Sequence, residues 1–400
     1  MLYSQSKQFF VQFLIALALI GFDFRVQAQT PNPTSSAMVD SNIQRSRSLS
    51  TKGLDAQPQK VIWKLEKLFS IVHTEYISGS SGPIKFFADI PTHQGYSLPV
   101  ISDGVLFFTL NMDTAYFFAI EAATGNQLVT LRFDRNRLSA PAVVGETVFF
   151  GSEVGRVTAY DLKTRKAKWI IEQRGKSFAY SDPIVEDGTL YICGARAGLF
   201  ALKTDTGDVR WTFKSDEILH GPTINGDDLF FGSSNGLLIA LNKKTGEKKW
   251  ETKMGRDFST PAVLDDQIIV GNKDGEVRAY AISDGSLRWK SNDQGGARTQ
   301  LALSNGAVYY GEQYGNITAL DAATGRQKWR FKINRPCREP IVAGGLVYTS
   351  CEDRYLYALD AQTGIEKWKW EHKKGSPPFP TFANGIMYLL GDDGLLSAQK

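Results

Sequence analysis

The chain has 400 residues, of which 42% are hydrophobic, 12% aromatic and 22% charged. That is enough apolar material for a real core, and it excludes wholesale disorder. A formal charge of +4, from 46 basic and 42 acidic residues, is too balanced for a nucleic-acid binder, and three cysteines exclude both a disulfide scaffold and a Cys-rich zinc site.

The chain opens with Lys7 followed by the apolar run Phe13 to Phe22. Ten apolar residues are too few to span a bilayer but fit the core of a secretory signal. Val26-Gln27-Ala28 resembles a cleavage site, so residues 1–28 are read as a signal peptide. No cysteine lies near this site and no later apolar run reaches 18 residues. The expectation is an exported protein, periplasmic or secreted, with neither a lipid anchor nor a transmembrane segment. Residues 29–58 are rich in Ser, Thr, Pro, Asn and Gln and read as a flexible linker. Residues 59–83, around Val61-Ile62-Trp63, are apolar enough to pack, either as an amphipathic helix or as an extra strand.

From residue 99 the chain repeats about every 40 residues. An Ala closes an apolar run at 119, 159, 201, 240, 279, 319, 358 and 398. Ten residues after six of them stands a Trp: Trp169, Trp211, Trp250, Trp289, Trp329 and Trp368, with Val129 in the first unit. A Thr-Gly or close variant lies between, and each unit opens on a Pro except the one that opens on Leu301. Within residues 222–253, short β-rich runs alternate with the turns Asn225-Gly226, Gly232 to Gly236 and Lys244-Thr245-Gly246, giving four strands. Four strands every 40 residues define a propeller blade. The six tryptophans are therefore expected between blades, as flat apolar spacers rather than ligand contacts.

The predicted fold is all-β: an eight-bladed propeller over residues 84–400, built of four-stranded antiparallel blades. The last unit, from Pro380, supplies only three strands. In the other units the Trp lies 11 to 14 residues before the next opening Pro, which points to Phe87 and to Ile84 to Ile90 as the strand that closes the ring.

The unit Ala-x-x-x-x-Thr-Gly-x-x-x-Trp resembles the pyrroloquinoline-quinone-type propeller repeat. It fits best at Ala240 to Trp250, Ala319 to Trp329 and Ala358 to Trp368, with Asp321 and Asp360 in the last two. Two groups share this repeat: the large quinoprotein dehydrogenases, and the BamB family of periplasmic propellers that assist β-barrel insertion into the outer membrane. Size and export resemble the second group. That resemblance implies a non-catalytic protein-binding scaffold, expected to be a monomer, with envelope assembly machinery as partner. The alternatives are a quinone-dependent dehydrogenase or a degenerate relative of one, and an exported ligand sensor.

The residues themselves offer little chemistry. A quinoprotein would need a carboxylate-built Ca²⁺ site and usually a disulfide between adjacent cysteines. Cys193, Cys337 and Cys351 are not adjacent, and Asp103-Gly104, Asp187-Gly188 and Asp284-Gly285 sit at hairpin turns. The four histidines show no metal-site spacing, and no P-loop or G-x-S-x-G occurs. No catalytic, cofactor or metal residue is assigned. Loops joining each fourth strand to the next blade share one face and carry Arg137, Arg174, Arg256, Arg298, Arg335 and Arg338. Read blandly they are solvated charges; read sharply they are a basic rim for an acidic partner. Glu153, Asp274, Glu312, Glu352, Asp353, Asp392 and Asp393 fall in loops on the same face and would offset part of that charge.

The last expectation is a disulfide between Cys337 and Cys351. The hairpin turning at Gly344-Gly345 sets Ala343 opposite Leu346, and a regular ladder then sets residue 338 opposite 351. Cys337 is one step off, close enough if the chain bends. An oxidising compartment would preserve the bond. Cys193 is expected as a buried thiol.

Overall fold

The computed structural model describes Ser48–Leu49, Val61–Leu65 and most of residues 97–400. Outside it within the last range lie 98, 112–113, 135–136, 174, 180, 256–258, 273–275, 292–298, 313–314, 373–377, 384, 392–395 and 400. The signal-peptide segment and the strand expected at 84–90 also lie outside the described residues. All described residues belong to one unit, Thr34–Lys400.

Eight antiparallel sheets form an eight-bladed β-propeller. Blade one comprises Val100–Ser102, Val105–Asn111, Thr114–Glu121 and Gln127–Asp134. Blades two to seven follow at 142–172, 184–213, 223–253, 262–290, 302–332 and 341–371, each with its four strands in sequence order. The short first strands approach one another from blade to blade and ring the central channel. Second and third strands are buried nearly throughout, while the Lys-rich fourth strands alternate exposed and half-buried residues and form the outer rim. Charged outer strands discourage edge-to-edge pairing with other chains.

Blade eight contains Phe379–Ala383, Ile386–Leu390 and Leu396–Gln399, and its fourth strand is Val61–Leu65. This corrects the closing strand. It comes from the segment left undecided between helix and strand, not from residues 84–90. The reason is a register rule common to the whole ring. In each blade the repeat Ala faces an aromatic or apolar residue of strand two and the Trp position of strand four: Phe149, Ala159 and Trp169 in blade two; Phe230, Ala240 and Trp250 in blade four. A one-residue shift always follows the Ala. In blade eight the same row reads Tyr388, Ala398 and Trp63, with the same shift between Val61 and Trp63. The linker expectation for residues 29–58 is also corrected in part. Ser48–Leu49 form a strand parallel to Ile341–Ala343, which makes blade seven five-stranded.

The small Ala lets two rings approach over it. Second-strand aromatics lie 5.7–5.9 Å from the Trp of the same blade, as in Tyr191–Trp211 and Tyr348–Trp368. The indole then reaches the next blade. Trp169, Trp211, Trp250, Trp289 and Trp329 donate Nε1–H to the carbonyls of Thr204, Lys243, Ile282, Ala322 and Ala361 at 2.9–3.1 Å. The turn Gly of that next blade lies flat on the indole. A Cβ at Gly364 would stand 2.6 Å from Trp329 Cδ2, and its φ of +72° favours glycine independently. Trp289, Trp329 and Trp368 are buried, while Trp169, Trp211 and Trp250 are half-buried.

Three of these carbonyls accept a second donor, and at Ala322 it is Gln267 Nε2 at 2.7 Å. Tyr191 Oη–H donates to Lys243 O and Tyr309 Oη–H to Ala361 O, each at 3.0 Å. Burial pushes both phenols up to about 12. A raised folded-state value means that the stabilisation is complete below the ordinary phenol value near 10 and is lost as pH climbs through about 12. The melting temperature should therefore fall more steeply between those values in the native protein than in a Tyr191→Phe, Tyr309→Phe double variant. Parallel pH profiles would contradict this role. Deleting residues 61–65 should strip blade eight of its outer strand, lower the melting temperature and induce self-association, read by light scattering; a monomer with unchanged melting would refute the closure.

Candidate partner-binding face

One face of the ring is built from two sets of loops stitched together. The chain leaving each fourth strand bonds back to the loop between strands two and three: Gln173 N to Gly155 O, Met254 N to Gly236 O, Ile333 N to Gly315 O and His372 N to Arg354 O. As the chain enters the next blade it bonds to that blade's own loop, as in Glu153 N to Arg137 O and Ser234 N to Ile218 O. Main-chain bonds therefore hold the two sets of loops together.

Of the six rim arginines, Arg174, Arg256 and Arg298 lie outside the described residues. Arg137 and Arg335 are exposed on this face. Arg338 is half-buried, its Cζ 4.3 Å from the centroid of Phe379, so part of its guanidinium serves packing. The acidic residues differ in role. Glu153 and Glu352 are exposed. Asp353 accepts from Tyr357 Oη at 2.5 Å and from Tyr355 N at 3.1 Å. Glu312 is buried and accepts from Thr318, from Asn316 Nδ2 at 2.7 Å and from Arg330. It is a satisfied internal carboxylate and carries no rim charge. Asp274, Asp392 and Asp393 lie outside the described residues.

The structure also assembles a stripe that the repeat pattern did not mark. Lys176 Nζ, in the connector from blade two, donates to Arg196 O. Arg196 N donates to Glu217 O at 3.3 Å, and Glu217 Oε2 accepts from Ser234 Oγ at 2.5 Å. Ile218, which accepts from Ser234 N, is 41% exposed at one end of this run, and Val154 is 51% exposed in the loop of blade two. Apolar residues in otherwise polar loops were the available signal, and the repeat masked them because it describes strands.

Cys337 and Cys351 are joined by a disulfide, with Cα atoms 4.0 Å apart. The residues stand directly opposite each other, not one step apart as a regular ladder predicts. A one-residue bulge across Arg338-Glu339-Pro340 absorbs the step, and Leu138 with Ser152 and Leu219 with Ser233 show the same entry in other blades. Proline cannot donate to the ladder, which is why the irregularity falls there. Cys193 is buried as a thiol, its Sγ 3.5 Å from His220 O. Denatured, non-reduced mature protein should show one reactive thiol and reduced protein three. Replacing the pair by serine should cost up to about 3 kcal/mol, as for a loop of this length; three thiols before reduction would rule the bond out.

The one disulfide spans a hairpin instead of joining neighbours, and among the described residues no group of three or more His, Cys, Asp or Glu is placed to hold a metal. No helix among them is long and apolar enough to cross a membrane.

The fold and this loop face define an eight-bladed propeller of the pyrroloquinoline-quinone repeat class. The sequence profile of the family described as outer membrane protein assembly factor BamB matches residues 52–182, 179–301 and 273–398, so the chain belongs to that family. No curated protein matches the chain significantly. Among solved structures, BamB from Moraxella catarrhalis superposes with a TM-score of 0.62 at 16% identity, covering 76% of this chain and 96% of that one. Quinohemoprotein alcohol dehydrogenase from Comamonas testosteroni gives 0.62 at 14% identity, over 75% of this chain and 73% of that one. A europium-containing methanol dehydrogenase gives 0.65 at 13%, over 91% and 89%. At such identities these likenesses show the fold alone.

Proposed function

We propose that the protein is a non-catalytic, exported binding scaffold that assists the assembly of outer-membrane β-barrel proteins. The observation that supports this reading most directly is the BamB family match, which runs nearly continuously from residue 52 to residue 398. The loop face adds a physical means. Exposed Arg137 and Arg335 offer charge for an acidic partner, and exposed Val154 and Ile218 in the same set of loops offer apolar contact. A mixed apolar and basic surface, held rigid, suits protein recognition because little ordering entropy is lost on docking.

The experiment is affinity isolation of the tagged mature protein from native envelopes after mild cross-linking, beside a Val154→Asp, Ile218→Asp variant and an Arg137→Glu, Arg335→Glu variant. Barrel-assembly components should be recovered with the native protein, and at least about fivefold less with one variant of unchanged melting temperature, a loss near 1 kcal/mol. Absence of those components from the native isolate, together with dye-linked alcohol oxidation after reconstitution with quinone and Ca²⁺, would replace the scaffold reading by the dehydrogenase one.

A further inference from the structure

The first strand of a blade has two edges. In blade seven, one edge of Ile341–Ala343 pairs with Leu346–Ser350, and the other faces the channel. Strand edges carry main-chain donors and acceptors that must be satisfied by water or by another strand. Here they meet another strand. Ser48 stands opposite Val342 and Leu49 opposite Ala343, in parallel, and this short strand also approaches Ala302–Ser304 of blade six. Among the described residues, no other blade has a fifth strand.

We propose that the channel-side edge of blade seven is a strand-acceptor site, filled in cis by the Ser48–Leu49 segment, which takes an extended stretch of another polypeptide when that segment leaves. Three observations carry this. The pairing uses the main chain, so the site accepts any extended backbone in parallel register and reads side chains only secondarily. The cis strand is two residues long, whereas other strands have three to eight, so it opens at far lower cost than any blade. The acceptor keeps its form when vacated, because Cys337, four residues before Ile341, is bonded to Cys351, the residue that follows the second strand. Residues 50–60 tether the cis strand to Val61–Leu65, which is fixed in blade eight. Its local concentration therefore stays high, and it acts as a built-in competitor that admits only segments of sufficient affinity. The inference rests on this pairing and stands whether or not the partner is an assembly factor.

The test uses the full mature chain carrying Ser48→Pro and Leu49→Pro, which removes both main-chain N–H groups of the cis strand, the one directed at the ladder among them. A Ser48→Ala, Leu49→Ala protein keeps them and serves as control. Amide exchange is read at Ile341–Ala343, and a fluorescent peptide of residues 43–53 is titrated by anisotropy. Channel-facing amides should exchange at least about tenfold faster in the double-proline protein than in the native or double-alanine ones. The peptide should bind the double-proline protein saturably and restore protection there. It should bind the native protein at least about tenfold more weakly, because the closed fraction reduces apparent affinity. A peptide with the same two prolines should bind neither. Equal exchange in all three proteins, no binding to the double-proline protein, or equal binding to it and the native chain would each overturn the proposal. Should the double variant lose the native melting transition, the single Ser48→Pro and Leu49→Pro proteins are read by the same two measurements; the effect is expected in the one whose N–H points at the ladder, and native behaviour of both would overturn the proposal.

Discussion

Five blade boundaries, from blades two–three to blades six–seven, depend on one contact: an indole whose N–H is bonded to the next blade's main chain and whose face is covered by that blade's glycine. A twisted four-stranded sheet cannot bury both faces alone, so a blade is stable only against its neighbours. The tryptophan sets the spacing between blades by its thickness and the angle by its single donor. Its donor is satisfied on burial, which avoids the penalty of a stranded polar group. At Lys243, Ala322 and Ala361 the same carbonyl accepts a second side chain, from Tyr191, Gln267 and Tyr309, so both lone pairs are used. Lys243 adds an ion pair at the blade three–four boundary, its Nζ 2.5 Å from Glu186 Oε2, both side chains being nearly buried. Burial raises the Glu186 carboxyl despite that partner. Removal of either group would strand the other charge in the interior.

Because these contacts lie within the ring, the loops on its faces are relieved of holding one blade to the next. The loop face can vary in charge and apolar content without loss of the frame. Glu312 and Cys351 occupy equivalent positions just after strand two in neighbouring blades, one a buried carboxylate bonded to Arg330, the other half of a disulfide. The position demands a bond to the surrounding loop, and chemically different residues supply it.

What was legible in the sequence was whatever the repeat imposes. Blade number, strand order and the six tryptophans follow from the spacing of Ala, Thr-Gly and Trp, since each is required by local register. The closing strand was not legible in that way. Trp63 precedes Pro99 by far more than the usual interval, so spacing pointed at Phe87, and only the row Tyr388, Ala398, Trp63 reveals the equivalence. The disulfide partners were legible from proximity, but their register was not, because the bulge at Pro340 is a main-chain irregularity with no side-chain periodicity. The channel strand was hidden for another reason. Ser48–Leu49 sit in polar sequence and pair through backbone alone, so composition reads them as linker. Val154 and Ile218 lie in loops, where no period operates.

The pairing of Val61–Leu65 with Leu396–Gln399 has a consequence for how the molecule comes into being. Synthesis delivers Val61–Leu65 before any of the blade strands from Val100 onward and Leu396–Gln399 after blade seven. Until Leu396–Gln399 arrive, the ring has an open seam and Val61–Leu65 must wait unpaired. The most distant contact in sequence thus completes the structure, and such contacts form slowly because the loop must close before any reward is collected. Blades one to seven can form in order as the chain emerges, each against its predecessor. A molecule truncated near its C-terminus would therefore lose the seal at both chain ends at once, and the waiting strand would remain available to other chains.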